Sequence, residues 1–239
     1  MVFDIPRNRM IAVDTAELAF DAGPHPYEAA NGAAIEANWR AETERNPALF
    51  DGKVMLFSTI RWHDGRLDGR CHAIRFATFM HWRRHRADAT AEHLYAHAMP
   101  VTADGALIAI RMAAHTANAG KVYFAAGSFD PDDVRDGRID IEFNMRREVL
   151  EETGIDLTNS PSETGFRGYS GAGGTVLAKR FFLDENAEAL AARIRAVIAA
   201  DPDPEISDVV IIRDPADLPD GLMAHMTPLI DWHFGAGRI

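Results

Sequence analysis

The chain has 239 residues, of which 47% are hydrophobic and 26% are charged, and its formal net charge is −11 at pH 7. This composition is typical of a globular protein, and the negative charge argues against broad nucleic-acid binding because phosphates would be repelled. No apolar run approaches a membrane span and the first residues lack a signal-peptide core, so we expect a cytoplasmic protein without membrane contact.

The first hundred residues contain one helical pattern and two strand-like segments. The run from Tyr27 to Asn46 is predicted to be a helix that ends before Pro47. The segments 53–61 and 71–79 are rich in apolar and β-branched residues, and we predict two strands joined by a turn. The basic run "HWRRHR" at 81–86 follows. It is interpreted as ordinary polar surface, with a contact to the terminal part of a phosphorylated substrate or to a partner as the alternative.

The rest of the chain mixes strands and helices without regular alternation. An Asp104-Gly105 pair between two strand-like runs predicts a hairpin. A strand over 121–127 ends in a bend of small residues, and a helix is predicted from Ile141 to Thr153, terminated by Gly154. The remaining predictions are a strand at 175–183, a helix at 185–201, a strand at 208–214 and a closing helix at 218–234.

This order predicts an α/β protein of the α+β type, in which strands surround a central acidic helix without the regular alternation of a doubly wound fold. The predicted organisation has two parts. Residues 1–97 form an additional N-terminal α/β segment with a helix and a β-hairpin, for which substrate or dimer contacts are the candidate roles. Residues 98–239 form the principal domain.

The predicted helix at 141–153 concentrates negative charge. Glu148, Glu151 and Glu152 fall within an arc of about 100°, because residues three and four apart share a helix face. Arg147 neutralises them only in part, so their repulsion destabilises the helix unless a further cation is present. Clustered carboxylates are the oxygen ligands that Mg²⁺ and Mn²⁺ favour alongside substrate phosphates. A solvated acidic helix face is the alternative interpretation.

The sequence "REVLEETGI" at 147–155 resembles the second half of the Nudix box, Arg-Glu-apolar-x-Glu-Glu-x-Gly-apolar, at every fixed position. The preceding "VYFAAGSFDPDD" resembles its first half. Gly127 corresponds to the box glycine, and Asp133 stands where the family has its first glutamate. The resemblance implies the Nudix fold for the principal domain, in which a mixed β-sheet is sandwiched between helices.

Two features depart from the family pattern. Ala125 and Ala126 replace the usual Pro-Gly before the box glycine. The stretch between Asp133 and Arg147 is longer than the family pattern by six residues around "VRDGRI". Extra length is tolerated in a loop and leaves the spacing of the helical carboxylates intact.

The resemblance implies a Mg²⁺- or Mn²⁺-dependent pyrophosphohydrolase that cleaves the diphosphate of a nucleoside diphosphate linked to another group. Metal-activated water would be the nucleophile. By the same resemblance, Arg147 orients the carboxylates and Gly127 lies at the substrate. The implied metal ligands are the carboxylates of Glu148, Glu151 and Glu152 and the backbone carbonyl of Ala126.

Two further roles are assigned by position relative to the box. Many Nudix proteins take a general base from a later loop, and Glu205 is the best match, with Asp203 and Asp208 as competitors and an ordinary acidic turn as an open alternative. Arg111, on the strand before the box, is the candidate for binding substrate phosphates, and a surface role is equally open.

The histidines offer a different kind of metal site. His81 and His85, like His93 and His97, have the i, i+4 spacing that chelates a transition metal on a helix. We interpret them instead as polar residues, because no zinc-protease arrangement surrounds them. Cys71 is the single cysteine, which excludes an internal disulfide and a cysteine-based zinc site.

The rival function is a non-catalytic Nudix-fold sensor that binds a nucleotide derivative without cleaving it. Intact box carboxylates favour the enzyme, whereas the altered Ala125-Ala126 and the insertion keep the sensor open. Isomerase chemistry of the isopentenyl-diphosphate type commonly uses a site cysteine and has little support here. The segments "NPALFDG" and "FATFMHW" are similar to parts of Nudix proteins that cleave UDP-sugars, which adds a nucleotide-sugar as a candidate substrate. Homodimerisation is common in the superfamily and is expected on that ground alone.

Overall fold

The computed structural model describes residues 2–86 and 89–235, which contain thirteen strands and five helices. The strands are β1 (Phe3–Asp4), β2 (Met10–Val13), β3 (Thr15–Phe20), β4 (Lys53–His63), β5 (Arg66–Arg75), β6 (Leu94–Val101), β7 (Leu107–Met112), β8 (Val122–Tyr123), β9 (Val134–Arg135), β10 (Arg138–Ile139), β11 (Phe166–Gly171), β12 (Gly174–Phe182) and β13 (Ile206–Ile212). The helices are α1 (Pro26–Arg45), α2 (Phe76–Arg84), α3 (Ile141–Thr153), α4 (Ala187–Ala200) and α5 (Met226–Gly235).

The strands form two mixed sheets. The six-stranded sheet has the order β1-β4-β5-β3-β10-β9, and the seven-stranded sheet has the order β13-β7-β6-β12-β11-β2, with β8 paired to β7. Neighbours β1 and β4, β3 and β5, and β6 and β12 are parallel, and the other pairs are antiparallel. The predicted α+β class with mixed sheet is therefore confirmed, with two such sheets in place of one.

The six-stranded sheet is covered on both faces, because successive strand residues point to opposite sides. Met55 and Phe57 on β4 belong to the main core, which both sheets share. Leu56, between them, belongs to a smaller cluster with Ile74 on β5 and Trp82 on α2. This cluster places α1 and α2 on the outer face of the sheet and fixes the direction in which α2 presents its other side chains.

Helix α3 has the bounds that its sequence predicts. Asp140 caps its start by accepting a hydrogen bond from the backbone N–H of Phe143 at 3.0 Å, and Gly154 ends it with a φ of 70°. The helix packs on β6, with Met145 and Val149 buried on that side. Leu150, the residue after Val149, points to a different side of the helix and is 49% exposed.

The six extra residues before α3 form a closed hairpin, β9 and β10. Its turn residues Asp136 and Gly137 have φ values of 49° and 74°, a backbone that glycine and aspartate tolerate best. The N–H of Asp140 donates to the carbonyl of Asp133 at 2.8 Å, so the two ends of the insertion meet. The hairpin docks on β3, where the N–H of Phe20 donates to the Gly137 carbonyl at 2.9 Å. The insertion therefore projects from the box without separating its two halves.

Several predicted elements are wrong in type or extent. The predicted strand at 71–79 ends at Arg75, and the chain then turns into α2. The carboxylate of Asp51 causes this change, because it accepts from the Ala77 N–H at 2.9 Å and satisfies a free donor at the helix start. No element is predicted between Gly154 and residue 175, where the structure has β11 paired with β12 and β2.

The closing helix is shorter than the sequence predicts and begins at Met226, so Pro228 lies in its first turn, where no backbone donor is needed. Strand β2 joins the seven-stranded sheet, whereas β9 and β10 extend the six-stranded one. Both predicted segments thus contribute to both sheets, and the boundary after residue 97 stays a prediction. None of the helices in the described residues has the length and apolar character needed to cross a membrane.

Candidate active site

The bend after β8 brings backbone and carboxylates into direct contact. The N–H of Ala126 donates to Glu152 Oε2 at 3.1 Å, which fixes one carboxylate of α3 against the bend. Gly127 lies so close to Glu148 that a Cβ on it would stand 2.4 Å from Oε1. Any side chain at this position would displace the Glu148 carboxylate, which explains a glycine here.

Arg147 holds the carboxylates of the box together. Its guanidinium lies 3.1 Å from carboxylate oxygens of Asp130, Asp133 and Glu151 and 2.9 Å from Glu148 Oε1. Asp133 has no exposed side-chain area, so this contact anchors the network inside the protein. Burial opposes the charge of Arg147, but Glu148 and Asp133 hold its pKa above the ordinary value. The sequence assigns Arg147 the role of orienting the carboxylates, and its contacts suit that role.

The carboxylates carry more negative charge than Arg147 balances. Burial raises the pKa of Glu148 to about 7, with Arg147 opposing the shift and Glu151 adding to it. Burial raises the pKa of Glu152 well above its ordinary value, and repulsion from Glu148 and Glu205 adds to the shift. Glu151 is more exposed, with 57% of its side chain accessible. The cluster is therefore held at a cost that a bound cation would remove.

The donors suit Mg²⁺ or Mn²⁺, because all are carboxylate oxygens. No three His, Cys, Asp or Glu side chains within residues 2–86 and 89–235 already surround one metal position. Glu148 and Glu151 are turned toward Arg147, and Glu152 is turned toward the Ala126 amide. The residues fit the cations by chemistry, and rotation of these side chains would complete the ligand set.

Two cavities meet at the carboxylates. One has a volume of about 330 Å³ and the other about 430 Å³, and Glu148, Glu152 and Glu205 line both. Glu205, the predicted general base, is therefore brought beside the box. Of its competitors, Asp203 lines only the second cavity, and Asp208 forms an exposed ion pair with an arginine of α4 at 3.0 Å.

The 330 Å³ cavity has a wall of flat rings on and beside β6. The rings of His93 and Tyr95 stack with centroids 4.9 Å apart, and those of His97 and His225 stack at 5.0 Å. Burial lowers the pKa of His93 to about 3 and that of His225 to about 4, and it lowers the pKa of His97 well below its ordinary value. The imidazoles are therefore uncharged at neutral pH. Such a wall suits stacking against a planar ring.

The two histidine pairs do not form helical chelates. His97 lies on β6 and His93 directly precedes that strand, so the two residues do not share a helix face. On α2, the ring of His81 hydrogen-bonds the Tyr27 hydroxyl at 2.8 Å and stacks on the ring of His85. These contacts match the interpretation of the histidines as polar residues of the fold, except that His93 and His97 also line the cavity.

Arginine positions differ from the prediction. Arg111 Nη1 donates to the backbone carbonyls of Gly120 and Asp220 at 3.2 and 3.0 Å, and Arg111 is not among the residues that line either cavity. Arg111 therefore ties two loops together, which agrees with the surface role that the sequence leaves open for it. Arg83 and Arg86 line the 330 Å³ cavity instead. Their basic run is visible in the sequence, but its orientation depends on α2, whose first residues the sequence predicts as the end of a strand.

The chain is similar to solved structures over part of its length. No family model and no curated protein matches the chain. The solved MutT protein from Methanosarcina mazei Go1 is 18% identical, covers 62% of this chain and 96% of its own, and has a TM-score of 0.41. DR0079 from Deinococcus radiodurans is 13% identical, covers 52% and 68%, and has a TM-score of 0.35.

A third solved structure is a bifunctional NMN adenylyltransferase/ADP ribose pyrophosphatase from Francisella tularensis, complexed with AMP and a manganese ion. It is 17% identical, covers 66% of this chain and 44% of its own, and has a TM-score of 0.35. This chain thus spans less than half of that protein. At these scores the likeness is limited, and function is inferred below from the residues of the site.

Proposed function

We propose that the protein is a Mg²⁺- or Mn²⁺-dependent Nudix pyrophosphohydrolase that cleaves the diphosphate of a nucleoside diphosphate linked to another moiety. The observation that carries this proposal is the shared position of Glu148, Glu152 and Glu205 between an acidic groove and a ring-walled cavity. A diphosphate placed there would meet the carboxylates, while a base or another planar group would meet the wall. The arrangement thus provides for both parts of such a substrate.

The residues of the chain have separable parts in this reaction. Bound cations would neutralise the diphosphate, lower the pKa of the attacking water and align it with the leaving group. Glu148 and Glu152 would hold them with Glu151 and the Ala126 carbonyl. Glu205, which is exposed on its loop, would accept the proton of the attacking water.

Arg147 would keep the carboxylates in register when the cations arrive. It contacts Glu148 and Glu151 directly, and Asp133 fixes it from the buried side. An arginine that is held by a buried carboxylate keeps its orientation when its other carboxylate partners turn away from it to bind a metal ion. The proposed roles of the box residues therefore follow from one network.

The insertion gives the non-catalytic sensor little support. The ends of the six extra residues are joined by the bond from Asp140 to Asp133, and Asp133 still contacts Arg147. Replacement of Pro-Gly by Ala125-Ala126 leaves the Ala126 N–H bonded to Glu152. Neither departure from the family pattern disrupts the carboxylates. We therefore favour hydrolysis over binding alone, with a nucleotide-sugar as one candidate substrate and homodimerisation as a separate prediction.

The test is a matched pair of substitutions. Glu152→Gln is expected to lower Mg²⁺-dependent turnover by about 100-fold or more, the scale on which loss of a group acting in the transition state reduces rates. The control is Glu188→Gln, on an exposed part of α4, which should leave turnover unchanged. Activity would be measured on a panel of nucleoside diphosphate derivatives with Mg²⁺ and Mn²⁺, by phosphate release after coupling to a phosphatase.

Two results would contradict the proposal. A folded Glu152→Gln variant with wild-type turnover would remove the box from the chemistry. Absence of Mg²⁺ or Mn²⁺ uptake in calorimetric titration, with and without nucleotide, would remove the cations. Tight nucleotide binding by the wild type without turnover on any member of the panel would support the sensor.

A further inference from the structure

Two arginines in the 330 Å³ cavity have no part in the chemistry proposed above. Arg83 lies in the last turn of α2 and Arg86 lies two residues beyond its end, and both line the cavity. The Arg83 guanidinium lies 5.9 Å from the centre of the Phe79 ring, and that of Arg86 lies 5.6 Å from the Trp82 ring. The aromatic side of α2 therefore directs both cations toward the cavity.

The neighbouring arginine on α2 behaves differently. Arg84 forms an ion pair with Glu42 of α1. No ion pair joins Arg83 or Arg86 to a carboxylate within residues 2–86 and 89–235. Burial and the nearby Arg86 lower the pKa of Arg83, with Tyr123 and Glu42 opposing the shift, so the charge of Arg83 is compensated only in part. The helix dipole favours cations at this end of α2, but it does not explain why two of three arginines turn to the cavity.

A hydrogen-bonded chain fixes Arg83 in place. Arg83 Nη2 donates to Asn118 Oδ1 at 3.3 Å, and Asn118 Nδ2 donates to the Tyr123 hydroxyl at 3.3 Å. Arg86 Nη1 donates to the carbonyl of Ala172 at 2.9 Å, which spans the rim. Arg83 Nη1 also donates to Met80 Sδ at 4.0 Å. Within the described residues these contacts use two donors of Arg83 and one of Arg86, and the remaining donors of each guanidinium are available to a ligand.

Tyr123 lines the same cavity, three residues before Ala126, and Asn118 links it to Arg83. Burial raises the pKa of Tyr123, and the nearby carboxylates of Glu152 and Glu205 add to this shift. The hydrogen bond from Asn118 and the charge of Arg83 oppose it. Tyr123 is therefore close enough to both groups for each to act on its pKa. We call the part of the cavity lined by the box carboxylates its acidic end and the part lined by Arg83 and Arg86 its basic end.

We propose that Arg83 and Arg86 bind a phosphate group of the substrate that lies outside the scissile diphosphate. The proposal rests on the proposed function, because it takes the acidic end as the place where the diphosphate is cleaved. Cations held by the box neutralise the diphosphate at that end. A guanidinium pair at the other end matches the planar, multidentate contacts that arginine makes with phosphate. The substrate class becomes nucleoside diphosphate derivatives that carry an additional phosphate monoester.

Matched ligands differing by one phosphate provide the test. NADP and NAD form one pair, and coenzyme A and dephospho-coenzyme A form another, because each pair shares its diphosphate and differs only outside it. We expect kcat/KM with Mg²⁺ to be higher for the phosphorylated member of at least one pair. Arg83→Gln should lower that value by about 10- to 100-fold and leave the other member unchanged, the scale of hydrogen bonds to a charged group.

A control and two further variants separate binding from folding. Arg84→Gln removes a charge from the same turn of α2 but faces Glu42, so it should leave the preference intact. Arg83→Lys should retain part of the preference, because it keeps the charge and loses the planar fork. Arg86→Gln, at an exposed position, repeats the test should Arg83→Gln fail to fold.

A binding measurement keeps this proposal distinct from the proposed function. Calorimetric titrations of the Glu152→Gln variant with the four ligands, in EDTA, should show tighter binding of a phosphorylated member and loss of that difference when Arg83→Gln is added. Such a difference without any turnover by the wild type would uphold the phosphate site and reject the hydrolase. Equal affinities within both pairs, or equal weakening of both members by Arg83→Gln, would overturn the phosphate site.

Discussion

The acidic end of the cavity and its histidine wall respond to burial in opposite directions. Burial raises the pKa of Glu148 to about 7, whereas it lowers the pKa of His93 to about 3. In both cases the protein interior favours the neutral form. The imidazoles are in that form at neutral pH, whereas Glu148 is only partly protonated there. The comparison supports the proposal that the carboxylate part of the site takes up cations, whereas the histidine wall is neutral without them.

The largest expected effect tests the acidic end. The pKa of Glu148 rises from 4.5 to about 7 on folding, so its contribution favours the folded state below pH 4.5 and is lost as pH rises through about 7. In EDTA at pH 8, Glu148→Gln should be more stable than the wild type by up to about 3 kcal/mol, with little difference at pH 4.5. Urea denaturation at the two pH values measures the difference.

Divalent cations should also change the free energy of unfolding. Mg²⁺ at about 100 times its Kd would stabilise the wild type by about 2.7 kcal/mol at pH 8 and the Glu148→Gln variant by less. Glu188→Gln, on the exposed face of α4, is the matched control and should follow the wild type. A Glu148→Gln variant that is less stable than the wild type at pH 8 in EDTA would mean that Arg147 already balances the cluster.

A smaller effect is expected when the insertion is removed, because the acidic end does not depend on it. Residues 134–139 can be replaced by Asn-Gly, since the bond of 2.8 Å from the Asp140 N–H to the Asp133 carbonyl is the one that closes a two-residue turn. Turnover should stay within about threefold. Stability should fall by about 2–3 kcal/mol, because β3 loses an edge partner and buried Ile139 is removed.

The result discriminates between two views of the insertion. Unchanged turnover with a lower urea midpoint would place its role in joining the box to the six-stranded sheet. A loss of turnover beyond about tenfold in a folded variant would mean that the hairpin positions Asp133 and Arg147. Replacement of the exposed turn residue Asp136 by Asn, which tolerates the same backbone, is the control for changes confined to the loop.

The two ends also differ in how far the sequence reveals them. Glu148, Glu151 and Glu152 lie within five residues on one helix, so helical spacing alone predicts their shared face. The basic end depends on α2, whose start is fixed by Asp51, 26 residues before Ala77. An apolar segment with aromatic residues favours a strand when that contact is unknown. Local spacing therefore predicts the shared position of the carboxylates, whereas contacts between residues far apart in the sequence determine which residues line the rest of the cavity.

The same reasoning explains the prediction for Arg111. The position of an arginine on a strand specifies the sheet face from which its side chain projects, but it does not specify which loops cross that face. Arg111 Nη1 donates to the backbone carbonyls of Gly120 and Asp220, and Asp220 lies 109 residues away in the chain. No spacing rule within the sequence connects the two. Arg83 has a local signal in the basic run and lacks only the direction that the fold provides.

The smallest expected effect tests the histidine wall. The pKa of His93 falls from 6.5 to about 3 on folding, so its contribution to stability is present above pH 6.5 and is lost as pH falls toward 3. Between pH 7.5 and pH 5 this loss is about 2 kcal/mol. His93→Gln cannot take up the proton and keeps a group able to bond Ser128, so its stability relative to the wild type should improve by that amount at pH 5.

The exposed His63, with 90% of its side chain accessible, is the control, and His63→Gln should show no such change. Urea midpoints at the two pH values give the comparison directly. A difference that is the same at pH 7.5 and pH 5 would mean that folding leaves the pKa of His93 unchanged, so that His93 is charged at pH 5 in the folded protein. The wall would then carry positive charge beside Arg83, and the contrast between a neutral wall and a charged carboxylate cluster would fail.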